Sequence, residues 1–327
     1  MTVDTGKSAI ALRSADLPWM GLPSVKGDGT ETVDEMLANA NMLGWGVHKR
    51  ELITDATPVD GADFEIVGNV GGPAEPLVRL GTSRERYTEV SIEDLSAMAT
   101  AATDGEATLD TVGYYRGGRS VFFSFALGDN IVLDPNGQAD EIGRFLNLTS
   151  SFDGTGGVCA YTVDLRLACQ NQLTSMRSAA LSMYKMRHTQ NVHKRLAEMR
   201  TVLSIGFKAS DVFEQEMKAL IEAAMAENQF WALVNTIYPK PENDVRGSVK
   251  KWENKTDSIM GFWNGETTAN LGDNAYKAYN ALNEHLLWGG GVRDGNTESV
   301  LVKASGMDPL TNKKNVDLYK AVLLAVA

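Results

Sequence analysis

Residues 145–195 read FLNLTSSFDGTGGVCAYTVDLRLACQNQLTSMRSAALSMYKMRHTQNVHKR, and two kinds of pattern meet in this stretch. Its first part contains two apolar runs joined by the Gly-rich segment 153–157, which is typical of a β-hairpin. From Asn171 onward the apolar spacing is helical, with NQLTSMRSAALSMYKM and NVHKRLAEMRTVLSIGF as candidate helices. The stretch therefore predicts that strands come first in this fold and helices follow.

Positive charge is concentrated in the second part of this stretch, although the protein as a whole is acidic. The net charge of −11 is the sum of −14 for residues 1–164, +7 for residues 165–208 and −4 for residues 209–327. A basic segment can act as a separate binding face because the Debye length is only about 8 Å at physiological salt. The acidic remainder disfavours general binding to phosphate polymers.

Further strands are predicted on the N-terminal side of the stretch. An apolar run, an Arg-Gly-Gly-Arg turn at 116–119 and the run Val121–Leu127 predict another hairpin. Two more strands are predicted near Phe64–Val67 and Leu77–Leu80. The segment NIVLDPNGQADEI, residues 130–142, is interpreted as a loop because it contains a Pro-Asn-Gly turn.

Two short helices are predicted among these strands from their capping residues. TVDEMLANANML has Thr32 or Asp34 as its cap, and SIEDLSAMATAA begins with Ser91 and carries Asp94 three positions later. The second pattern is a capping box with Asp in place of Glu. Both helices have apolar residues on one side, so each is expected to pack on the sheet.

Helical patterns fill the C-terminal part of the chain, and together with the preceding hairpins they define the fold class. We predict an α+β protein in which antiparallel β-hairpins form a small sheet and a helical C-terminal half packs on it. The predicted regions are an N-terminal adaptor at 1–60, a core of hairpins and basic helix at 61–208, and a helical region at 209–327.

The composition argues against several classes of protein. No apolar window is long enough for a membrane-spanning helix, and the N-terminal sequence lacks a secretory signal. Cys159 and Cys169 fit reduced thiols in a core, so we expect a cytoplasmic protein without membrane contact. No nucleophile, base and metal-ligand pattern occurs together. We therefore expect no cofactor and no enzyme activity.

The basic residues and their aromatic neighbours are the candidate functional residues, because cations bind phosphates and aromatic rings stack on bases. The predicted nucleic-acid contacts are Arg116, Arg119, Arg166, Arg177, Lys185, Arg187, His188, Lys194, Arg195 and Arg200. The predicted base-stacking residues are Tyr114, Tyr115 and Tyr184. Another interpretation remains open, in which the 116–119 turn is only solvated and the basic segment pairs with acidic surfaces.

Several of these segments resemble an uncharacterised family of proteins carried by phages and plasmids. The shared features are a Gly-Arg hairpin, an Asp-Gly turn, an Arg-x-x-Cys-x-Asn-x-Leu segment and an Arg-His-Thr segment. The matching positions are Gly118, Arg119, Asp153, Gly154, Arg166, Cys169, Asn171, Leu173, Arg187, His188 and Thr189. The resemblance covers roughly residues 40–290, and it departs at Asp164, where the family has Pro, and at Lys277, where it has Gly.

The order of hairpins and basic helix is also similar, more remotely, to the single-strand annealing proteins of the phage Red-beta, RecT and Erf types. This likeness implies an oligomeric ring or filament that holds single-stranded DNA in a positive groove between hairpin and helix. We therefore expect an ATP-independent annealing protein that acts in DNA recombination in a bacterial host cell. Its partners would be single-stranded DNA and further copies of the same chain.

Two other functions stay open at this point. A structural or interaction protein would use the basic segment to contact an acidic subunit or a host factor. An unrecognised nuclease or nucleotide-handling enzyme would need carboxylates such as Asp129, Asp134 and Asp153 to converge on Mg²⁺.

Overall fold

The chain divides into two compact units in the computed structural model. The first unit consists of Met1–Gly128, Phe145–Thr162 and Ser182–Gly206, and the second of Asp129–Arg144, Val163–Leu181 and Phe207–Ala327. The structure describes residues 9–12, 25–52, 64–102, 107–128, 130–154, 156–167, 171–173, 183–189, 211–289, 299, 303 and 308–326. The division into three regions made from the sequence remains a prediction.

Strands make up most of the first unit. They are β1 (Ala9–Leu12), β2 (Val25–Lys26), β3 (His48–Glu51), β4 (Phe64–Gly68), β5 (Val78–Ser83), β6 (Thr108–Tyr115), β7 (Ser120–Ala126), most of β9 (Asp140–Ser151), the start of β10 (Val158–Arg166), and β12 (Met183–Met186). β3, β4 and β5 form an antiparallel sheet of three strands. In the larger sheet β6 pairs with β7, β7 with β9, and β10 with β12, all antiparallel.

The predicted hairpin at 116–119 is confirmed, because β6 and β7 flank this turn. Arg116, Gly117 and Gly118 all have positive φ, which glycine adopts without strain. The strands around the turn are almost entirely buried, and the Tyr114 ring packs edge-to-face on Trp45 with 4.9 Å between centroids. This contact anchors the hairpin in the core of the first unit.

Both predicted capping patterns form in the first unit. Thr32 caps α1 (Val33–Asn39) in a capping box with Glu35. Ser91 precedes α2 (Ile92–Ala102), its backbone N–H donates to Asp94 at 3.0 Å, and the Asp94 N–H donates to Ser91 Oγ at 2.9 Å. In each pair, the side chains accept hydrogen bonds from backbone N–H groups that have no partner within the first helical turn.

Two predictions of local structure are wrong. The segment interpreted as a loop contains β8 (Ile131–Leu133) and the start of β9, which pair with each other. The helix predicted from Asn171 to Met186 is replaced, in its described residues, by β11 (Asn171–Leu173) and β12. The reason is pairing with β10, whose two ends accept β11 and β12 as antiparallel neighbours. Tertiary pairing of this kind overrides weak helical periodicity.

Helices make up most of the second unit, which completes the predicted α+β class. They are α3 (residues 211–222), α4 (Glu227–Ile237), α5 (Ser248–Trp263), α6 (Ala275–Trp288) and α7 (Pro309–Val326). Their apolar faces share one core with Ile131 and Leu133 of β8 and Ile142 of β9. None of the helices in the described ranges is long and apolar enough to cross a membrane.

His285 makes the stability of the second unit depend on pH. It lies in α6 with Nδ1 3.1 Å from Ser258 Oγ of α5. Burial, with a smaller contribution from the charge of Lys255, lowers its pKa from 6.5 to about 4. Between these values the unfolded chain binds a proton that the folded protein does not. The free energy of unfolding should therefore fall as the pH decreases through this window.

We expect this loss to amount to roughly 1–2 kcal/mol between pH 7 and pH 4.5, because partial exposure of the ring weakens the effect. Urea unfolding of the wild type and of the His285→Gln variant at both pH values measures it. The variant should lose less stability on acidification than the wild type. An equal loss in the two proteins would show that His285 is not the group responsible.

Candidate nucleic-acid interface

A groove of about 590 Å³ lies on the first unit where three segments of the chain meet. The segments are the end of β5 with the turn after it, the Gly-rich turn between β9 and β10, and the end of β12 with the residues that follow. The groove is lined by Thr82, Ser83, Arg84, Arg86, Tyr87, Gly154, Gly156, Gly157, Lys185, Arg187, His188 and Thr189. We call it the basic groove.

Glycines allow the three segments to approach this closely. A side chain at Gly81 would collide with the backbone of Asp153, and one at Gly154 would lie 2.8 Å from the Thr82 carbonyl oxygen. A side chain at Gly157 would collide with the Met186 carbonyl oxygen. The Gly-rich turn predicted from the sequence therefore packs against β5 on one side and β12 on the other, and it holds the walls of the basic groove together.

Replacement of Gly157 by alanine should disrupt this site. We expect the Gly157→Ala variant to lose about 1–3 kcal/mol of unfolding free energy, because the new methyl group must displace β12 from β10. The matched control is Gly261→Ala in α5, where an added Cβ meets no atom within 4 Å. That exposed helical site should gain about 0.5–1 kcal/mol. Chemical denaturation of both variants measures the difference, and a neutral Gly157→Ala would contradict the packing described.

Four exposed cations line the basic groove: Arg84, Arg86, Lys185 and Arg187. Arg84 and Arg86 lie in a tight turn closed by the Tyr87 N–H, which donates to the Arg84 carbonyl at 3.0 Å. Within the described ranges, none of the four forms an ion pair with an acidic side chain. Their charge is therefore available to an anionic ligand.

An aromatic pair lies beside these cations. The rings of Tyr87 and His188 stack with 4.9 Å between centroids and an interplanar angle of 21°. The Thr88 N–H donates to the His188 carbonyl at 3.2 Å, which joins the turn after β5 to the segment after β12. Burial lowers the pKa of His188, so its ring is mainly neutral at pH 7 and acts here as a packed aromatic group.

Two buried hydroxyl groups of the basic groove lack hydrogen-bond partners among the described residues. They are Ser83 Oγ, on a residue that is 8% exposed, and Tyr87 Oη. Burial, with smaller contributions from the charges of Glu89 and Asp153, raises the pKa of Tyr87. The hydroxyl therefore stays protonated at neutral pH and can donate a hydrogen bond. Buried polar atoms of this kind usually find a partner. Both residues line the groove, but the two oxygens themselves are covered by neighbouring atoms.

The structure brings together three of the predicted site residues, Lys185, Arg187 and His188, in the basic groove. It adds Arg84, Arg86 and Tyr87, which the sequence analysis missed. The signal was present as Arg-Glu-Arg-Tyr at 84–87, but its net charge is only +1 and it lies about one hundred positions before Lys185. Only the tertiary structure, in which the Thr88 N–H donates to the His188 carbonyl, shows that the two segments are neighbours.

The other predicted residues lie elsewhere. Arg116 and Arg119 are exposed at the hairpin tip and do not line the groove, and the Arg116 guanidinium lies 5.7 Å from the centre of the Tyr115 ring. Tyr114 and Tyr115 are buried, at 0% and 7% exposure, so their rings serve packing. Tyr184 is half-buried. Arg177, Lys194, Arg195, Arg200 and the second cysteine, Cys169, lie outside the described residues.

Arg166 is not a groove residue either, because it is buried in the second unit in an ion pair with Asp140. Its Nε lies 2.8 and 2.9 Å from the two carboxylate oxygens, and Tyr276 Oη donates to Asp140 Oδ2 at 2.6 Å. The side chains of Arg166 and Asp140 are 3% and 6% exposed. The pair forms part of the wall of a separate cavity of about 320 Å³.

A metal site has no support in the described part of the chain, which contains no group of three or more His, Cys, Asp or Glu side chains placed to hold an ion. Of the three carboxylates considered for Mg²⁺, Asp129 lies outside the described residues.

Fold and site together define an α+β protein with a cationic groove on its strand-rich unit. Residues 79–305 match the family described as "Domain of unknown function (DUF932)", and the chain belongs to that family. The match includes every residue that lines the basic groove. No curated protein and no solved structure shows significant similarity to the chain.

Proposed function

We propose that this protein binds single-stranded DNA in the basic groove and anneals complementary strands without ATP, acting in DNA recombination. The proposal includes a phage or plasmid origin, which the resemblance to the family carried by phages and plasmids implies. It also includes assembly into homo-oligomers, which the likeness to the annealing proteins implies. It differs from the initial expectation in its residues, because Arg84 and Arg86 line the groove and Arg116, Arg119 and Arg166 do not. It also differs in the walls of the groove. The groove walls are β12 and two turns, where a basic helix was expected.

The observation that carries the proposal is the gathering of four exposed cations in one groove of a protein whose net charge is −11. These four cations outnumber the carboxylates of Glu89 and Asp153, whose charges act on Tyr87 and His188, so the groove attracts anions where the rest of an acidic protein repels them. Backbone phosphates are the anionic groups that arginine and lysine side chains bind in nucleic acids.

The shape of the site favours a single strand. A volume of about 590 Å³ is within the range of small-ligand sites, and it matches a short piece of one strand better than the width of a duplex. The Gly-rich turn leads directly into strand β10, whereas the phosphate loop of an ATPase leads into a helix. This difference supports ATP-independent action.

Binding of a fluorescent 40-mer single strand at 50 and 200 mM salt tests the proposal, with mass photometry on the same samples. Four phosphate contacts on a single strand correspond to a salt slope near −3, so we expect affinity to fall about 50-fold over this range. Large oligomers that bind in this way should then accelerate annealing of complementary 40-mers. Oligomers that do not bind the DNA strand at 50 mM salt would contradict the proposal and favour a structural or interaction protein.

A further inference from the structure

The turn that carries Arg84 and Arg86 into the basic groove has no regular secondary structure. It consists of residues 84–90, between β5 and α2. A backbone hydrogen bond within the turn joins the Tyr87 N–H to the Arg84 carbonyl at 3.0 Å. Segments with few local hydrogen bonds fluctuate more than strands and helices do. The placement of the two arginines therefore depends on contacts from other parts of the first unit.

Lys49 of β3 makes such contacts on both sides of Arg86. Its Nζ donates to the Glu85 carbonyl at 2.9 Å and to the Tyr87 carbonyl at 3.1 Å. These carbonyls belong to the residues immediately before and after Arg86 in the chain. An ammonium group has three donors, and hydrogen bonds from a charged donor are roughly twice as strong as those between neutral groups. Lys49 therefore holds the backbone of the turn at the point where Arg86 leaves it.

The neighbouring strand β4 fixes the position of this ammonium group. Lys49 Nζ lies over the Phe64 ring, 4.6 Å from its centre, and β3 pairs with β4 in an antiparallel arrangement. A cation over an aromatic ring is attracted by the quadrupole of the ring. Lys49 is half-buried and does not line the basic groove. Its charge is directed to the two carbonyls and the ring, so it holds the turn and leaves the phosphate contacts to the groove residues.

The backbone of Lys49 also holds an acidic group of this region. Its N–H donates to Glu89 Oε1 at 2.7 Å. The charge of Glu89 acts on Tyr87 and His188, and it opposes the attraction of the groove for anions. Because the donor to Glu89 is a backbone N–H, this contact is independent of the side chain at position 49. Replacement of that side chain removes only the hold on the turn and one positive charge.

We propose that Lys49 is a positioning residue of the basic groove, which places Arg84 and Arg86 where they bind the phosphates of the strand. A turn that is already ordered loses less conformational entropy when a ligand binds, so its arginines contribute more to affinity. The small sheet of β3, β4 and β5 thereby takes part in binding without contacting the ligand. This inference rests on the proposed function, since it names a residue that prepares the groove for the strand.

A double-mutant cycle tests whether Lys49 acts through the two arginines. The affinity for the fluorescent 40-mer at 50 mM salt is measured for the wild type, for Lys49→Met, for the pair Arg84→Gln, Arg86→Gln, and for the triple variant. Methionine retains an unbranched apolar side chain over Phe64 and removes the charge. We expect Lys49→Met to weaken binding about tenfold when the arginines are present, and less than about twofold when they are absent.

The matched control is Arg50→Met, at the next position of β3. It removes one positive charge from the same strand, but the Arg50 guanidinium binds Glu65 of β4, with 2.8 Å between Nε and Oε1. Successive residues of a strand point to opposite faces of the sheet. The control should therefore bind the 40-mer with nearly the affinity of the wild type.

An equal loss of affinity with and without the arginines would overturn the inference and leave the proposed function in place, because Lys49 would then act independently of the turn. Unchanged affinity of Lys49→Met would overturn it as well. Melting temperatures show whether each variant is folded. If Lys49→Met does not fold, the same cycle is measured with Lys49→Gln, which retains a neutral donor. Failure of the wild type to bind the 40-mer would overturn both the inference and the proposed function.

Discussion

Reversal of Arg86 and Arg187 to glutamate should abolish binding of single-stranded DNA. The four cations of the basic groove then become two cations and two acids, and the attraction for phosphate is cancelled. We expect affinity to fall by more than about 100-fold at 50 mM salt, and the salt slope to approach zero, since each phosphate contact contributes about 0.7 to that slope. Both side chains are exposed, so the fold should persist.

The matched control is Lys313→Glu with Lys314→Glu on α7. These lysines are exposed in the second unit, and their reversal changes the net charge by the same amount. The control should retain most of the wild-type affinity, because binding depends on the local field of the groove and not on net charge. Equal losses in the groove and control variants would show that the groove is not the binding site.

Removal of the Asp140 carboxylate should destabilise the second unit more than any surface substitution. Asp140→Ala removes the carboxylate that forms the buried ion pair with Arg166, and it also removes the acceptor of the Tyr276 hydroxyl. The loss of one partner from a buried ion pair costs about 3–5 kcal/mol. Urea unfolding of the wild type and the variant at pH 7 measures this cost.

The double variant Asp140→Leu, Arg166→Met separates the cost of leaving a charge buried from the cost of losing the ion pair itself. It replaces the buried pair by apolar side chains, so no unpaired charge remains in the interior. We expect it to be clearly more stable than Asp140→Ala, because exchange of a whole buried pair is often nearly neutral. A loss below about 1 kcal/mol in Asp140→Ala would mean that water reaches Arg166 and that the pair is not buried in solution.

Features that depend on a few neighbouring residues could be predicted from the sequence. The caps at Thr32 and Ser91 form because each side chain reaches a backbone N–H three residues away. The hairpins around 116–119 and 153–157 follow from glycines between apolar runs. The α+β order follows from the helical periodicity of the segments after residue 211, although the change to this pattern was expected at Asn171. In each case the determining interactions lie within one turn or one strand pair.

The segment Met183–Met186 shows where such local patterns fail. Its apolar residues fit a helix as well as a strand, and the helix was predicted. The segment forms β12 because the edge of β10 offers backbone partners, so that Met186 is buried while Lys185 is exposed. Arg166 is a similar case: its charge predicts a surface residue, and the ion pair with Asp140, which lies far from it in sequence, compensates for its burial.

By itself, the sequence determined the fold class, the positions of the hairpins and helix caps, and the presence of a basic segment in an acidic chain. The tertiary structure alone decided which cations act together. Arg84 and Arg86 join Lys185 and Arg187 because Gly81, Gly154 and Gly157 let backbones distant in sequence come into contact. Patterns along a chain report neighbours in sequence, whereas a binding site depends on the addition of charges in space.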